Sequence, residues 1–154
     1  MKHVLSLVLA ALIAVSATAQ ESAIDPVEAP EADVIRDGTM SDLNEFLWLK
    51  RPIVVFADSP ADPRFVQQIQ FLTDGLDELA ERDVVVLTDT DPAAMSALRT
   101  KLRPRGFMLV LIGKDGEVRL RKPLPWDVRE ISRSIDKMPI RQQEIRDRRV
   151  VPGG

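Results

Sequence analysis

Residues 53–63, Ile-Val-Val-Phe-Ala-Asp-Ser-Pro-Ala-Asp-Pro, decide the fold that this sequence predicts. The first five are a continuous β-branched and aromatic run, which is typical of a parallel strand buried on both faces. The next six combine carboxylates, a hydroxyl and prolines, which predicts a tight turn. A helix with one apolar stripe is then predicted by the spacing of Phe65, Ile69, Leu72, Leu76 and Leu79.

The rest of the chain repeats this alternation and ends in a hairpin and a helix. Apolar runs at 84–87 and 107–112 predict two more buried strands, and the alternating residues 117–121 predict an edge strand after the Asp115-Gly116 turn. The order is βαβ followed by ββα, with a helix before the first strand. We predict an α/β, thioredoxin-like three-layer sandwich over residues 41–149, in which helices flank a mixed four-stranded sheet. A ferredoxin-like plan is the rival, but its hairpin would lie between the two helices.

The chain contains no cysteine. In thioredoxin-like proteins, the strand-to-helix turn at 58–63 carries the reactive thiol. Because the thiolate is the nucleophile of disulfide exchange, we expect no thiol oxidoreductase activity.

The first residues predict export. Met1-Lys2-His3 precedes an apolar run from Val4 to Val15, and Ala17-Thr18-Ala19 fits a cleavage site. Residues 1–19 are therefore predicted to be a signal peptide cleaved after Ala19, with a periplasmic or secreted product. The run is too short to span a bilayer, so we expect no stable membrane insertion after cleavage.

Cleavage also limits the chemistry of the mature chain. The one histidine of the full sequence, His3, is lost with the signal peptide. Histidine catalysis and histidine metal sites are therefore excluded, and no cofactor is predicted. The net charge of −3 becomes −4 without Lys2, which argues against nucleic-acid binding. Residues 20–40 are predicted to be a flexible acidic leader, and residues 150–154 a disordered tail.

Four segments resemble an exported bacterial family, the domain of unknown function 4174 family. They are Phe56-Ala57, residues 80–86, residues 111–116 and residues 135–144, and the resemblance extends roughly from Leu43 to Arg146. The Met138-Pro139-x-Arg141-x-x-Glu144 element is its most specific part. The family's domain is also similar to peroxiredoxin-like modules of some animal extracellular matrix proteins. The resemblance implies a thioredoxin-like fold and an exported location, but it implies no activity and no catalytic residue.

The carboxyl ends of the first two buried strands hold the first candidate site. Ligands often bind where parallel strands end. A ligand or hard cation would meet the oxygens of Asp58, Ser59, Asp62, Asp89 and Asp91. The alternative is that these residues cap helices and shape turns, as Asp beside Pro commonly does.

The second candidate is a partner surface. It comprises Arg119, Arg121, Arg141, Gln142 and Glu144. The arginines are suited to an anion or an acidic partner. The alternative is a solvated face with local ion pairs, including Arg141 with Glu144 at i,i+3. Trp48 and Trp126 are predicted to cover the edge of the core, and the alternative is that an aromatic side chain near the rim anchors a partner.

Three functions remain open from the sequence. The first is a non-redox domain that binds an unidentified protein partner or small ligand. The second is a metal-assisted hydrolase using Asp58, Asp62, Asp89 and Asp91. The third is a purely structural accessory domain.

Overall fold

The computed structural model describes residues 34–150. The predicted signal peptide, most of the predicted leader and residues 151–154 of the predicted tail lie outside the described residues.

The centre of the fold is one mixed sheet with the order β1-β3-β2-β4-β5. Strands β1, β3 and β2 are parallel, whereas β4 runs antiparallel to β2 and β5 antiparallel to β4. The strands are β1 (Ile35–Asp37), β2 (Arg51–Phe56), β3 (Val84–Asp89), β4 (Met108–Ile112) and β5 (Val118–Lys122).

Helices cover both faces of this sheet. The α-helices are α1 (Pro63–Asp74), α2 (Leu76–Ala80), α3 (Ala97–Leu102), α4 (Val128–Asp136) and α5 (Pro139–Val150). Two short 3-10 helices, Leu43–Phe46 and Pro92–Ala94, precede β2 and α3.

Alternate side chains of the strands pack into two separate hydrophobic cores, one on each face of the sheet. On one face, Ile53 and Val55 of β2 pack in a cluster that includes side chains of α1, α2 and α4. On the other face, Val54 and Phe56 pack with the first 3-10 helix and α3. Burial of β2 on both faces explains its uninterrupted apolar sequence. The predicted three-layer α/β class is confirmed.

The sheet has five strands, one more than the sequence predicts. The extra strand, β1, pairs with β3 through the register Ile35↔Val86, within the segment that the sequence assigns to the acidic leader. Its three residues, Ile-Arg-Asp, are too few and too polar to show a period of two. The pairing depends on the neighbouring strand, which a local pattern does not reveal.

Gly75 divides the predicted long helix into α1 and α2. A Cβ atom at Gly75 would lie 2.7 Å from both Cγ atoms of Val128, the first residue of α4. Glycine therefore permits the close approach of α4 at this break.

Candidate functional site

The turn after β2 is a capped strand-to-helix junction. The Asp62 carboxylate accepts a hydrogen bond from the Arg64 backbone N–H at 2.9 Å and also pairs with the Arg64 guanidinium. Hydrogen bonds from the side chain and the backbone of Arg64 lower the pKa of Asp62. The Ser59 hydroxyl accepts from the Ala61 N–H. Asp62 and Ser59 thus order the turn and the start of α1.

Asp89, at the end of β3, is fully buried in a polar network. Its carboxylate accepts hydrogen bonds from the Ser96 hydroxyl and from Arg99 Nε, the latter at 2.9 Å. Arg99 Nη2 also donates to the Ala57 carbonyl at 2.6 Å, and its guanidinium lies over the Phe56 ring. Arg99 therefore fills the space between the carboxyl ends of β2 and β3, where a ligand of this fold class would be expected.

The four candidate carboxylates do not converge. Asp58 and Asp62 line one surface depression, whereas Asp91 lines another with Asp37. Asp91 caps the Pro92–Ala94 helix by accepting from the Ala93 N–H at 3.0 Å. Within residues 34–150, no group of three or more His, Cys, Asp or Glu side chains is arranged to hold a metal ion.

An ion cluster around Glu144 lies at the amino-terminal end of β2, opposite the strand end that Arg99 fills. The Glu144 carboxylate accepts from Arg51 Nη2 at 2.9 Å, from Lys114 Nζ at 2.8 Å and from Arg141 Nη1 at 3.2 Å. Lys114 also pairs with Asp83 at 2.7 Å. Burial raises the pKa of Glu144, but the hydrogen bonds from Lys114 and Arg51 outweigh it and lower the pKa from 4.5 to about 2. This cluster joins α5 to the sheet.

The cluster includes Arg141 and Glu144 of the Met138-Pro139-x-Arg141-x-x-Glu144 element. Arg141 is buried and its Nε lies 3.5 Å from Asp136, which Arg82 also binds at 2.9 Å. Gln142 donates to the Asp136 carbonyl. Arg141 and Glu144 thus hold the α4–α5 junction against the sheet, so these two are not part of an outward surface, whereas Gln142 is exposed beside the end of α4.

The other two residues of the predicted partner surface are exposed but point apart. Arg119 pairs with Asp115 beside the β4–β5 turn. Arg121 donates to the Leu102 carbonyl at the end of α3. This contact lies on the face of the sheet that packs against α3, whereas Trp126 packs against the other face. Only Arg119 remains near the Glu144 side of the fold.

Leu47–Leu49 is an exposed apolar segment whose exposure the sequence did not predict. We call it the Trp48 tip. The side chains of Trp48 and Leu49 are 66% and 65% exposed, so the expected covering of the core by Trp48 is wrong. Trp48 has φ +64, and its N–H donates to the Lys114 carbonyl at 2.7 Å. Such a φ is unfavourable for a bulky L-residue.

Sequence comparison assigns residues 42–144 to a known family. A family profile described as "Domain of unknown function (DUF4174)" matches residues 42–144. The chain belongs to this family. The match spans the first 3-10 helix through Glu144, so it includes both the Trp48 tip and the ion cluster. No curated protein matches the sequence.

Solved structures similar to this chain include peroxiredoxins. The reduced 2-Cys peroxiredoxin of Plasmodium vivax is 19% identical with a TM-score of 0.53, over 68% of this chain and 85% of that one. Thioredoxin peroxidase I of Plasmodium yoelii is 19% identical with a TM-score of 0.47, over 66% of this chain and 79% of that one. The first likeness supports the thioredoxin-like fold, and at this identity it shows the fold alone.

Helices within residues 34–150 are all too short or too polar to cross a bilayer.

Proposed function

We propose that this protein is an exported domain that binds a partner protein through the Trp48 tip, without thiol redox chemistry. The absence of cysteine from the chain supports the last part, because a thioredoxin-like site works through a thiolate. The sequence of residues 1–19 supports export.

The single observation that carries partner binding is the outward position of Trp48. Two adjacent large apolar side chains, Trp48 and Leu49, stay largely in water although burial of each would contribute about 1.5–3 kcal/mol. Trp48 also holds a backbone conformation that costs about 1–2 kcal/mol in an L-residue. Exposed aromatic side chains are typical anchors of protein interfaces.

The tip is supported by the rest of the fold. Leu47 packs over the β4–β5 turn, where a Cβ atom at Gly116 would lie 2.8 Å from Leu47 Cδ2. The hydrogen bond from Trp48 to Lys114 ties the tip to a lysine of the Glu144 cluster. Because these contacts already hold the backbone of the tip, that backbone loses little conformational entropy when a partner binds.

Quantitative capture from a periplasmic extract tests the proposal. The baits are the wild-type mature chain, Trp48→Gly, and Leu124→Ser as a control that removes a different exposed apolar side chain. We expect a specific partner that the wild type and the control retain and that Trp48→Gly loses. Equal capture by all three baits would contradict the role of the tip.

A further inference from the structure

A groove runs beside the exposed edge of β5. It consists of two adjoining clefts, of about 130 and 340 Å³, that share Arg119, Met138 and Pro139. The strand forms one wall, and the junction between α4 and α5 forms the other. We call it the β5 groove.

The β5 groove lies beside a strand with an unpaired side. Because β5 ends the sheet, it has a neighbour on one side only among residues 34–150. Its backbone N–H and C=O groups on the outer side can pair with an added strand, which is a common mode of peptide recognition. The five residues of β5 correspond to about 17 Å of extended chain.

The groove is lined by more basic than acidic side chains. Its basic lining residues are Arg51, Lys114, Arg119 and Lys137, whereas Asp115 is its one acidic lining residue. Arg51 and Lys114 are matched by Glu144, and Arg119 by Asp115. Lys137 is exposed and makes no ion pair within residues 34–150. The strand itself is basic at Arg119, Arg121 and Lys122.

We propose that the β5 groove binds an extended acidic peptide segment of the partner protein, added as a strand to β5. This proposal deepens the proposed function and rests on it, since it names the chemistry of the partner. Carboxylates of the segment would meet Arg119 and Lys137, and small apolar side chains would pack on Met138 and Pro139.

The same charges argue against a second copy of the chain at this edge. Pairing β5 with β5 of another copy would place arginine and lysine side chains opposite one another. Like charges on directly opposed residues destabilise a sheet. An acidic segment has the complementary charge.

A synthetic peptide tests the chemistry. The probe is a fluorescein-labelled peptide of about seven residues that alternates Glu and Val, matched to the length of a short strand. Its control carries Lys in place of Glu. We expect fluorescence anisotropy to give at least about tenfold tighter binding for the acidic peptide. Equal affinity for the two peptides would overturn the proposal.

Backbone pairing is tested on the peptide alone, so a misfolded variant does not affect the result. Two versions of the acidic peptide carry N-methyl groups at alternate residues, one on the odd positions and one on the even. A strand paired along one edge uses only one of these sets of N–H groups. We expect one version to lose binding and the other to keep it. Equal binding by both would exclude strand addition.

Variants of the folded chain locate the site. The double variant Arg119→Glu/Lys137→Glu should bind the acidic peptide about tenfold more weakly, whereas Lys101→Glu/Arg105→Glu, with the same change of charge on another surface, should differ by less than about twofold. Equal effects of the two double variants, or dimerisation of the wild type through β5, would overturn the proposal.

Trp48→Gly separates this inference from the proposed function. We expect it to lose partner capture while it keeps the wild-type affinity for the acidic peptide. If partner capture depends on Trp48 but the acidic peptide does not bind the β5 groove, the proposed function stands and this inference fails. If the peptide binds as expected but capture is independent of Trp48, the Trp48 tip fails as the proposed site.

Discussion

Arg51 and Glu144 are 93 residues apart in the chain, yet Arg51 Nη2 lies 2.9 Å from Glu144 Oε1. Arg51 begins β2 and is fully buried, and Glu144 lies in the middle of α5. The pair therefore connects the central strand to the last helix. It also gives Glu144, the last residue of the Met138–Glu144 element, a structural role.

Replacement of Glu144 by Gln should destabilise the fold. The change leaves buried Arg51 without its counter-ion and weakens the contact with Lys114. We expect the free energy of unfolding to fall by about 2–4 kcal/mol, since loss of one partner of a buried pair leaves an uncompensated charge. Urea denaturation measures this change.

Glu81→Gln provides the control for that variant. Glu81 is exposed, and its pair with Arg82 is longer, at 3.8 Å. Its replacement should change the free energy of unfolding by less than about 0.5 kcal/mol. Equal effects of the two substitutions would show that the Glu144 cluster does not stabilise the fold.

Acid should remove the contribution of Glu144. Its pKa is about 2 in the folded chain and 4.5 for an ordinary glutamate. A carboxyl group with a lowered folded pKa stabilises above the unfolded pKa, and this stabilisation is lost as the pH falls towards the folded pKa. The stability difference between wild type and Glu144→Gln should therefore shrink between about pH 5 and pH 2. A difference that stays constant across this range would contradict the lowered pKa.

Asp89 should be needed for stability and Asp91 much less so. Asp89→Asn removes the charge that pairs with Arg99 in a buried network. We expect a loss of about 2–4 kcal/mol, against about 1 kcal/mol or less for Asp91→Asn at an exposed cap. Thermal and urea unfolding of both variants measure the difference. A larger loss for Asp91→Asn would contradict the structural role of Asp89.

Divalent cations should not stabilise the protein. Asp58 and Asp62 lie in a different depression from Asp91, and Asp89 is already paired with Arg99. We expect Ca²⁺, Mg²⁺ and Mn²⁺ to leave the melting temperature unchanged. A rise that Asp58→Asn abolishes would instead support the metal-assisted hydrolase.

Trp48→Gly should cost no stability. Glycine adopts φ +64 without the steric penalty of tryptophan, which offsets its greater freedom in the unfolded chain. We expect the free energy of unfolding to stay within about 1 kcal/mol of wild type or to rise. Leu49→Gly, at a position with negative φ, should be destabilised by about 1 kcal/mol. A large loss of stability in Trp48→Gly would mean that Trp48 serves the fold.

The strands with continuous apolar sequences were predictable, and the contacts between distant residues were not. The run from Ile53 to Phe56 identified β2 because burial on both faces excludes polar residues. The sequence also placed Asp58 and Asp89 at the same edge of the sheet, as the pairing of Phe56 with Asp89 confirms. It did not show that Arg99 fills the space between the strand ends, because that contact depends on how α3 packs.

The exposure of Trp48 could not be predicted from the sequence either. Trp48 combines a positive φ with a backbone hydrogen bond to Lys114, 66 positions further along the chain. A local pattern carries no information about such a partner.

Site-specific photo-crosslinking in the native cell tests partner binding most directly. A photoreactive phenylalanine analogue replaces Leu49 in the Trp48 tip or, as a control, the exposed Val66 of α1. The proposal predicts a discrete crosslinked adduct from position 49 that is absent from position 66. No adduct from position 49, or the same adduct from both positions, would contradict it.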